Sequence, residues 1–217
     1  MRLYLSSYRL GDHEEKLVAL VGRPGAKAAV CVNALDNMKS TVRADILRRE
    51  LDDMRRLGFV PEELDLRESF ARDGLLDRMG TYEVIWISGG NVFLLAKAMR
   101  QSGFDRAIRM LLKTDHIVYA GYSAAFCVLA GSLRGMELVD DVHAQAEGYA
   151  RGEAWDGLGL IDFHPIVHFR SEHSESIATE REYDFVIAHG IRHETFRDGD
   201  VYLVQNNGRA FLRKSST

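Results

Sequence analysis

Cysteine is scarce in this chain. Cys31 and Cys127 lie far apart in apolar runs and make neither a metal-ligating pattern nor a disulfide framework, so buried free thiols are expected. Positive charge is not in excess either. The formal net charge of −4 argues against nucleic acid or an anionic membrane as partner. No apolar run is long enough to span a bilayer, and the opening stretch 1–8 is too short for a secretory signal, so a cytoplasmic protein is expected. Neither GxGxxG nor GxxxxGK(S/T) occurs, which weakens a phosphate-binding reading of the glycines. Repeats, low-complexity tracts and linkers are missing too, and 217 residues fit one domain, 1–217.

What is present is ordinary for a soluble globular chain: 46% hydrophobic and 28% charged residues, at a length that buries a core without staples. Strand-type runs at 2–8, 27–33, 63–67, 82–88 and 116–120 alternate with helical patterns at 15–21, 44–57, 69–79, 92–100 and 104–112. In 44–57, Leu47, Leu51 and Met54 form the inner stripe, and Gly58 stands where a helix ends. This alternation implies a mostly parallel sheet with helices on both faces. Active sites in such sheets gather at the C-terminal strand ends. Three loops fall there: 33–37, 89–91 and 121–123.

After Leu133 the rhythm changes. A short strand-like piece is expected at 136–139. The polar stretch 142–156 reads as an excursion over the site, either a lid or a partner surface. A helix is expected within 174–188, followed by three antiparallel strands at 193–197, 201–205 and 209–213, the last two joined by an Asn207-Gly208 hairpin turn.

The richest stretch is 117–130. An apolar strand passes through Gly121 and Ser123 into an Ala- and Leu-rich helical run. A serine at such a corner has its hydroxyl pushed above the sheet edge, as in a nucleophile elbow, with Gly121, Ala124 and Ala125 as the small neighbours a tight turn needs. The bland alternative is an ordinary helix N-cap. If Ser123 is a nucleophile, the Ala124 N–H is one natural oxyanion donor, and the Gly89-Gly90-Asn91 loop is suited to supply the second.

A base and an orienting acid must complete such a site. Of eight histidines, His168 stands ahead of His173 and His164, because it lies where an apolar run gives way to the polar Arg170-Ser171-Glu172-His173. His116 begins the strand that carries Ser123 and so lies at its wrong end. No recognised metal spacing is present in the cluster, and no metal or cofactor is expected. For the acid, Asp198, the pair Asp140-Asp141 and Glu172 all remain open.

These residues resemble those of the dipeptidase E and cyanophycinase family of serine peptidases. The likeness runs over nearly the whole chain and is carried by 5–11, Asn33-Ala34-Leu35-Asp36, Leu64-Asp65-Leu66-Arg67 and Gly89-Gly90-Asn91-Val92-Phe93-Leu94-Leu95. Further along, Gly121-Tyr122-Ser123-Ala124, Gly157-Leu158-Gly159-Leu160 and Val167-His168-Phe169 extend it. The resemblance implies a flavodoxin-like α/β fold, related to class I glutamine amidotransferases, with a C-terminal antiparallel hairpin. It places Ser123 on the family nucleophile and His168 on its base. It puts Asp198 where the family carries a Glu, and Gly90 with Ala124 at the oxyanion segment. The family's Gly-x-Ser-Ala-Gly ends here in Ala125 instead.

The expectation is a cytoplasmic serine exopeptidase acting on short peptides, with N-terminal Asp as the preference the resemblance implies. Asn91 and Arg170 are the candidate substrate-binding residues, and a monomer or homodimer is expected. A non-catalytic binding protein and a small-substrate esterase or amidase are the alternatives. A Cys-dependent amidotransferase is disfavoured because Ser123 holds the nucleophile position and Cys127 lies a helical turn further on.

Overall fold

A computed structural model describes residues 1–206 and 208–214. Strands β1 (Arg2–Ser6), β2 (Lys27–Cys31), β3 (Val60–Glu63), β4 (Val84–Ile87) and β5 (Val118–Tyr122) run parallel in the order β3-β2-β4-β5-β1. Helices α1 (Glu14–Val21), α2 (Ser40–Arg56), α3 (Leu75–Met79), α4 (Val92–Ser102) and α5 (Phe104–Lys113) alternate with them. After β5 come a single helical turn α6 (Ala124–Cys127), β6 (His164–Ile166), α7 (Ser176–Ala188), β7 (His193–Thr195), β8 (Val201–Gln205) and β9 (Gly208–Leu212). β8 adds antiparallel to β1 and β9 antiparallel to β8, completing a seven-stranded sheet, while β6 and β7 pair separately. The architecture is α/β with a mostly parallel sheet, as the residue pattern implies, and flavodoxin-like, as the resemblance implies, and the C-terminal hairpin is antiparallel.

Alternation along the strands sorts side chains to two faces. Leu3, Leu5, Ala29, Cys31, Ile85 and Ile87 pack with α4 and α5; Tyr4, Ala28, Val30, Val84, Trp86 and Ala120 pack with α1 and α2. Both faces are covered, which is why the central strands read as continuous apolar runs. β2 lies between β3 and β4, so the chain reverses direction across the sheet there, and the C-terminal ends of β2, β4 and β5 form one crevice.

Several boundaries differ from the pattern reading. The third strand is 60–63, not 63–67. It is an edge strand carrying Pro61 and two glutamates, so it lacks an apolar signature, and Pro is tolerated at an edge. Residues Leu66–Ser69 form a 3₁₀ turn capped by the Asp65 carboxylate. The helix expected over 69–79 shrinks to Leu75–Met79, because Ala71 and Gly74 adopt positive φ of 56° and 98°. Met136–Leu138 is a 3₁₀ turn rather than a strand. β7 pairs parallel with β6 and does not join the hairpin. Asn207 of the expected turn lies outside the described residues.

The stretch 142–156 holds no helix or strand and is strapped along α4. Lys97 Nζ donates to the Ala144 carbonyl, Gln101 bonds Gly148 and Ala150, and Tyr149 OH donates to Asp36. Among the described residues, no helix is long and apolar enough to cross a membrane.

The elbow depends on Gly121. A Cβ there would stand 2.4 Å from the Ile87 carbonyl oxygen and 2.6 Å from the Ala125 methyl. Gly121→Ala should therefore destabilise the fold by about 1–3 kcal/mol, the usual range for overpacking. A thermal melt should fall by roughly 2–4 °C per kcal/mol at this chain length; an unchanged Tm would show that the elbow can relax.

Candidate active site

Ser123 follows β5 directly and occupies the N-cap position of α6, yet its Oγ makes no capping bond. Its backbone sits at φ 52°, ψ −114°, outside the left-handed well that non-glycine residues tolerate. The Ser123 N–H donates to the Ser6 carbonyl, while the N–H groups of Phe126 and Cys127 donate to its own carbonyl. An ordinary capping serine would spend its hydroxyl on a backbone N–H; here the hydroxyl stays available at the crevice.

The glycine loop after β4 lies alongside. A Cβ on Gly89 would come within 3.0 Å of Ser123 Cβ, and one on Gly90 within 2.6 Å of the Ala34 carbonyl oxygen, with Gly90 at φ 137°. Only glycines allow the two loops to approach this closely. Among the described residues, the N–H groups of Gly90 and Ala124 have no hydrogen-bond acceptor.

His168 lies beyond the end of β6, in a turn with φ 55°, and is 1% exposed. Its Nδ1 lies 2.7 Å from Asp198 Oδ1. With the carboxylate ionised, Nδ1 is the donor in this contact, which turns Nε2 away from Asp198. Burial alone would raise the Asp198 pKa, but the hydrogen bonds from His168 and Ser7 and the charge of His168 outweigh it and hold the carboxyl below its ordinary value. Asp198 is fixed from behind: its N–H donates to Ser171 Oγ, and Ser7 Oγ lies 3.1 Å from Oδ1. The same Ser7 oxygen accepts the His168 N–H.

The His173 ring stacks on His168 with centroids 3.8 Å apart, and the Tyr8 ring meets both edge-on. Burial and the neighbouring His168 lower the His173 pKa, which favours the uncharged ring. Glu175 Oε2 lies 3.9 Å from His168 Nε2. His168, His173 and Glu175 group as possible metal donors. The stacking opposes that use, since in-plane lone pairs of parallel rings cannot converge on one ion.

A cavity of about 20 Å³ opens beside the serine, lined by Val92, Ser123, Ala124, Asp140, Glu175 and Glu182 among others. Asp140 Oδ2 accepts the Val92 N–H at the start of α4. Burial pushes its pKa up to about 7 against that hydrogen bond, with Glu175, Glu182 and Asp141 adding to the rise. Glu182 is paired instead with His164, at 2.7 Å and fully inside.

The structure thus brings His168 against Asp198 and places Asp140, an alternative acid, in the serine's cavity. Asp141 is spent on the His143 N–H. The two expected substrate-binding residues have partners within the fold. Asn91 is committed to structure: its side-chain oxygen caps the Leu94 N–H, and its amide donates to the Asp141 carbonyl. Arg170 is 59% exposed, ion-paired with Glu180 at 2.9 Å and laid over the Phe169 ring, away from the cavity lining. Cys127 is buried, its thiol pushed well above the ordinary range by burial. Ser7, Ser171 and the stacking role of His173 are not apparent from the residue pattern; for Ser7 the one available signal is its place just past a strand's C-terminal end.

The signature of peptidase family S51 matches residues 38–211, a span that contains Ser123, His168 and Asp198. An uncharacterized peptidase of Listeria monocytogenes is 24% identical over 128 residues, covering 57% of this chain and 60% of that protein. One from Pasteurella multocida is 26% identical over 112 residues, covering 52% and 51%. These alignments span little more than half the relatives' own lengths. Two crystal structures share the fold. A peptidase E protein from Listeria monocytogenes matches with TM-score 0.76 at 18% identity over 99% of this chain and 98% of that one. A peptidase from an acI-B1 actinobacterium matches with TM-score 0.66 at 15% identity over 98% and 90%.

The raised pKa of Asp140 has a stability consequence. A carboxyl whose folded pKa lies above its unfolded value contributes stability that is full below the unfolded pKa, near 4, and is lost as pH rises through the folded one. The window here ends at about pH 7. Asp140→Asn, which keeps an acceptor for Val92, should therefore raise Tm relative to the parent more at pH 8 than at pH 5. Equal differences at both pH values would refute the assignment.

Proposed function

This chain belongs to peptidase family S51, a family of serine-type peptidases, and on that premise we propose that it is a serine exopeptidase acting on short peptides. The observation that carries the reading is Ser123 itself: a serine at φ 52°, ψ −114° whose hydroxyl is spared from capping. Strained backbone at a corner between strand and helix presents a nucleophile, and a plain cap has no need of it.

Ser123 Oγ attacks the scissile carbonyl carbon, and its proton passes to His168 Nε2. Asp198 holds the imidazole in the required tautomer and stabilises the imidazolium that forms. The Gly90 and Ala124 N–H groups, which have no acceptor of their own among the described residues, receive the developing oxyanion. His168 then gives its proton to the leaving amine, and the acyl-serine is hydrolysed by water through the same groups in reverse. The lowered pKa of His173 disfavours a second cation stacked on His168 when the base is charged. Arg170 faces Glu180, so a cation for an N-terminal aspartate side chain is not supported among the cavity-lining residues. We place the reaction in the cytoplasm, where the free thiols of Cys31 and Cys127 stay reduced.

The test is a fluorophosphonate probe together with a dipeptide panel. Parent protein should label at Ser123 and hydrolyse dipeptides, and Ser123→Ala should do neither. His168→Ala should lower kcat by about 10²–10⁴-fold, the usual contribution of a general base. A protein that neither labels nor turns over any dipeptide or small ester would be a binding protein on this fold.

A further inference from the structure

Asp140 is a carboxylate without a counter-charge. Among the described residues it makes no ion pair, and the charged groups acting on it, Glu175, Glu182 and Asp141, are all negative. Glu182 is matched by His164, and the Glu175 carboxylate stands 3.9 Å from His168 Nε2 and 4.0 Å from His173 Nδ1. Asp140 is partly exposed and Glu175 more so, yet acids crowded together without a counter-charge are costly, and proteins pair them or bind a cation there.

The cavity these acids line also exposes Ser123, which settles what kind of cation suits it. At about 20 Å³ it holds one water-sized group and no side chain. An ammonium has that size, three donors and the right charge. In a peptide cleaved after its first residue, the α-nitrogen is bonded to the same carbon as the scissile carbonyl. A group held beside Ser123 and against Asp140 is therefore placed as that nitrogen must be when the carbonyl meets the nucleophile. We propose that Asp140, with Glu175 lining the same cavity, binds the free α-ammonium of the substrate and thereby restricts cleavage to the N-terminal residue.

This rests on the serine-peptidase reading and adds to it a reader of the amino terminus. It predicts that losing the ammonium matters more than the identity of the first side chain. Ala-Leu is compared with propionyl-Leu, and Asp-Leu with succinyl-Leu; each pair differs only in the α-ammonium. The parent should favour the free-amine member by about 10–100-fold in kcat/KM, as expected for charge-assisted hydrogen bonds. Asp140→Asn should shrink that ratio toward unity, mainly through KM of the free-amine substrates. Glu175→Gln, at a partly exposed position, should shrink it in the same direction and serves should the first variant fold poorly.

Fluorophosphonate labelling of Ser123 is followed in parallel. A parent that labels yet handles both members of each pair equally overturns the ammonium site alone and leaves the cavity to water. A ratio that stays unchanged in both folded variants does the same. A parent that does not label overturns the serine reading beneath it.

Discussion

A serine backbone held at φ 52°, ψ −114° is the constraint on which the rest of the site depends. Such a conformation costs on the order of 1–3 kcal/mol and persists only where its surroundings over-determine it. Here two strands and a loop do so. β1 takes the Ser123 N–H on the Ser6 carbonyl, β4 presses the Ile87 carbonyl against the bare Cα of Gly121, and the loop after β4 sets Gly89 against Ser123 Cβ. β4 and β1 can both reach the corner because they flank β5 in the sheet. The elbow is thus a product of strand order as much as of local sequence.

Strand order also explains how an acid near the C-terminus reaches the same edge. β8 runs antiparallel to β1 with Val201 opposite Ser6, so the turn preceding β8 arrives beside the C-terminal end of β1. Asp198 in that turn meets Ser7, the residue after β1. β6 and β7 bring the histidine to the same place, since their ladder continues as Phe196 N–H to the Ile166 carbonyl and Phe169 N–H to the Phe196 carbonyl. His168 lies inside that loop of bonds, with its own N–H on Ser7. One serine oxygen therefore ties His168 and Asp198 to the sheet edge from which Ser123 projects.

What could be read from the sequence follows from how local each signal is. β4 and β5 are buried on both faces and announce themselves as apolar runs; β3 is a polar edge strand and does not. Ser123, Ala124 and Gly90 owe their placement to chemistry within a few residues: a strand, a glycine and a sharp corner. The histidines do not. His164, His168 and His173 share one polar-apolar stretch, and what separates them is tertiary: a buried glutamate for His164, an aspartate thirty residues on for His168, a stacked ring for His173. Only the resemblance to known peptidases ranked Asp198 above Asp140. Ser7 and the position of Asp140 in the cavity depend on sheet register and on the path of the chain after α6, which no periodicity encodes. Adjacency of Arg170 to His168 in sequence says nothing of direction in a turn where both residues adopt positive φ.

The departure at Ala125 is resolved by packing. An alanine in place of the glycine that usually ends Gly-x-Ser-Ala-Gly would obstruct a substrate only if its methyl faced the crevice. It faces the other way: Ala125 is fully buried, its methyl lies over Gly121, and its carbonyl accepts the Tyr119 hydroxyl. Close-packed interiors allow no second methyl in that space. Gly121 must lack a side chain whatever stands at 125, because the Ile87 carbonyl alone would lie 2.4 Å from a Cβ there, and the Ala125 methyl takes up the space this leaves beneath the serine, on the strand side.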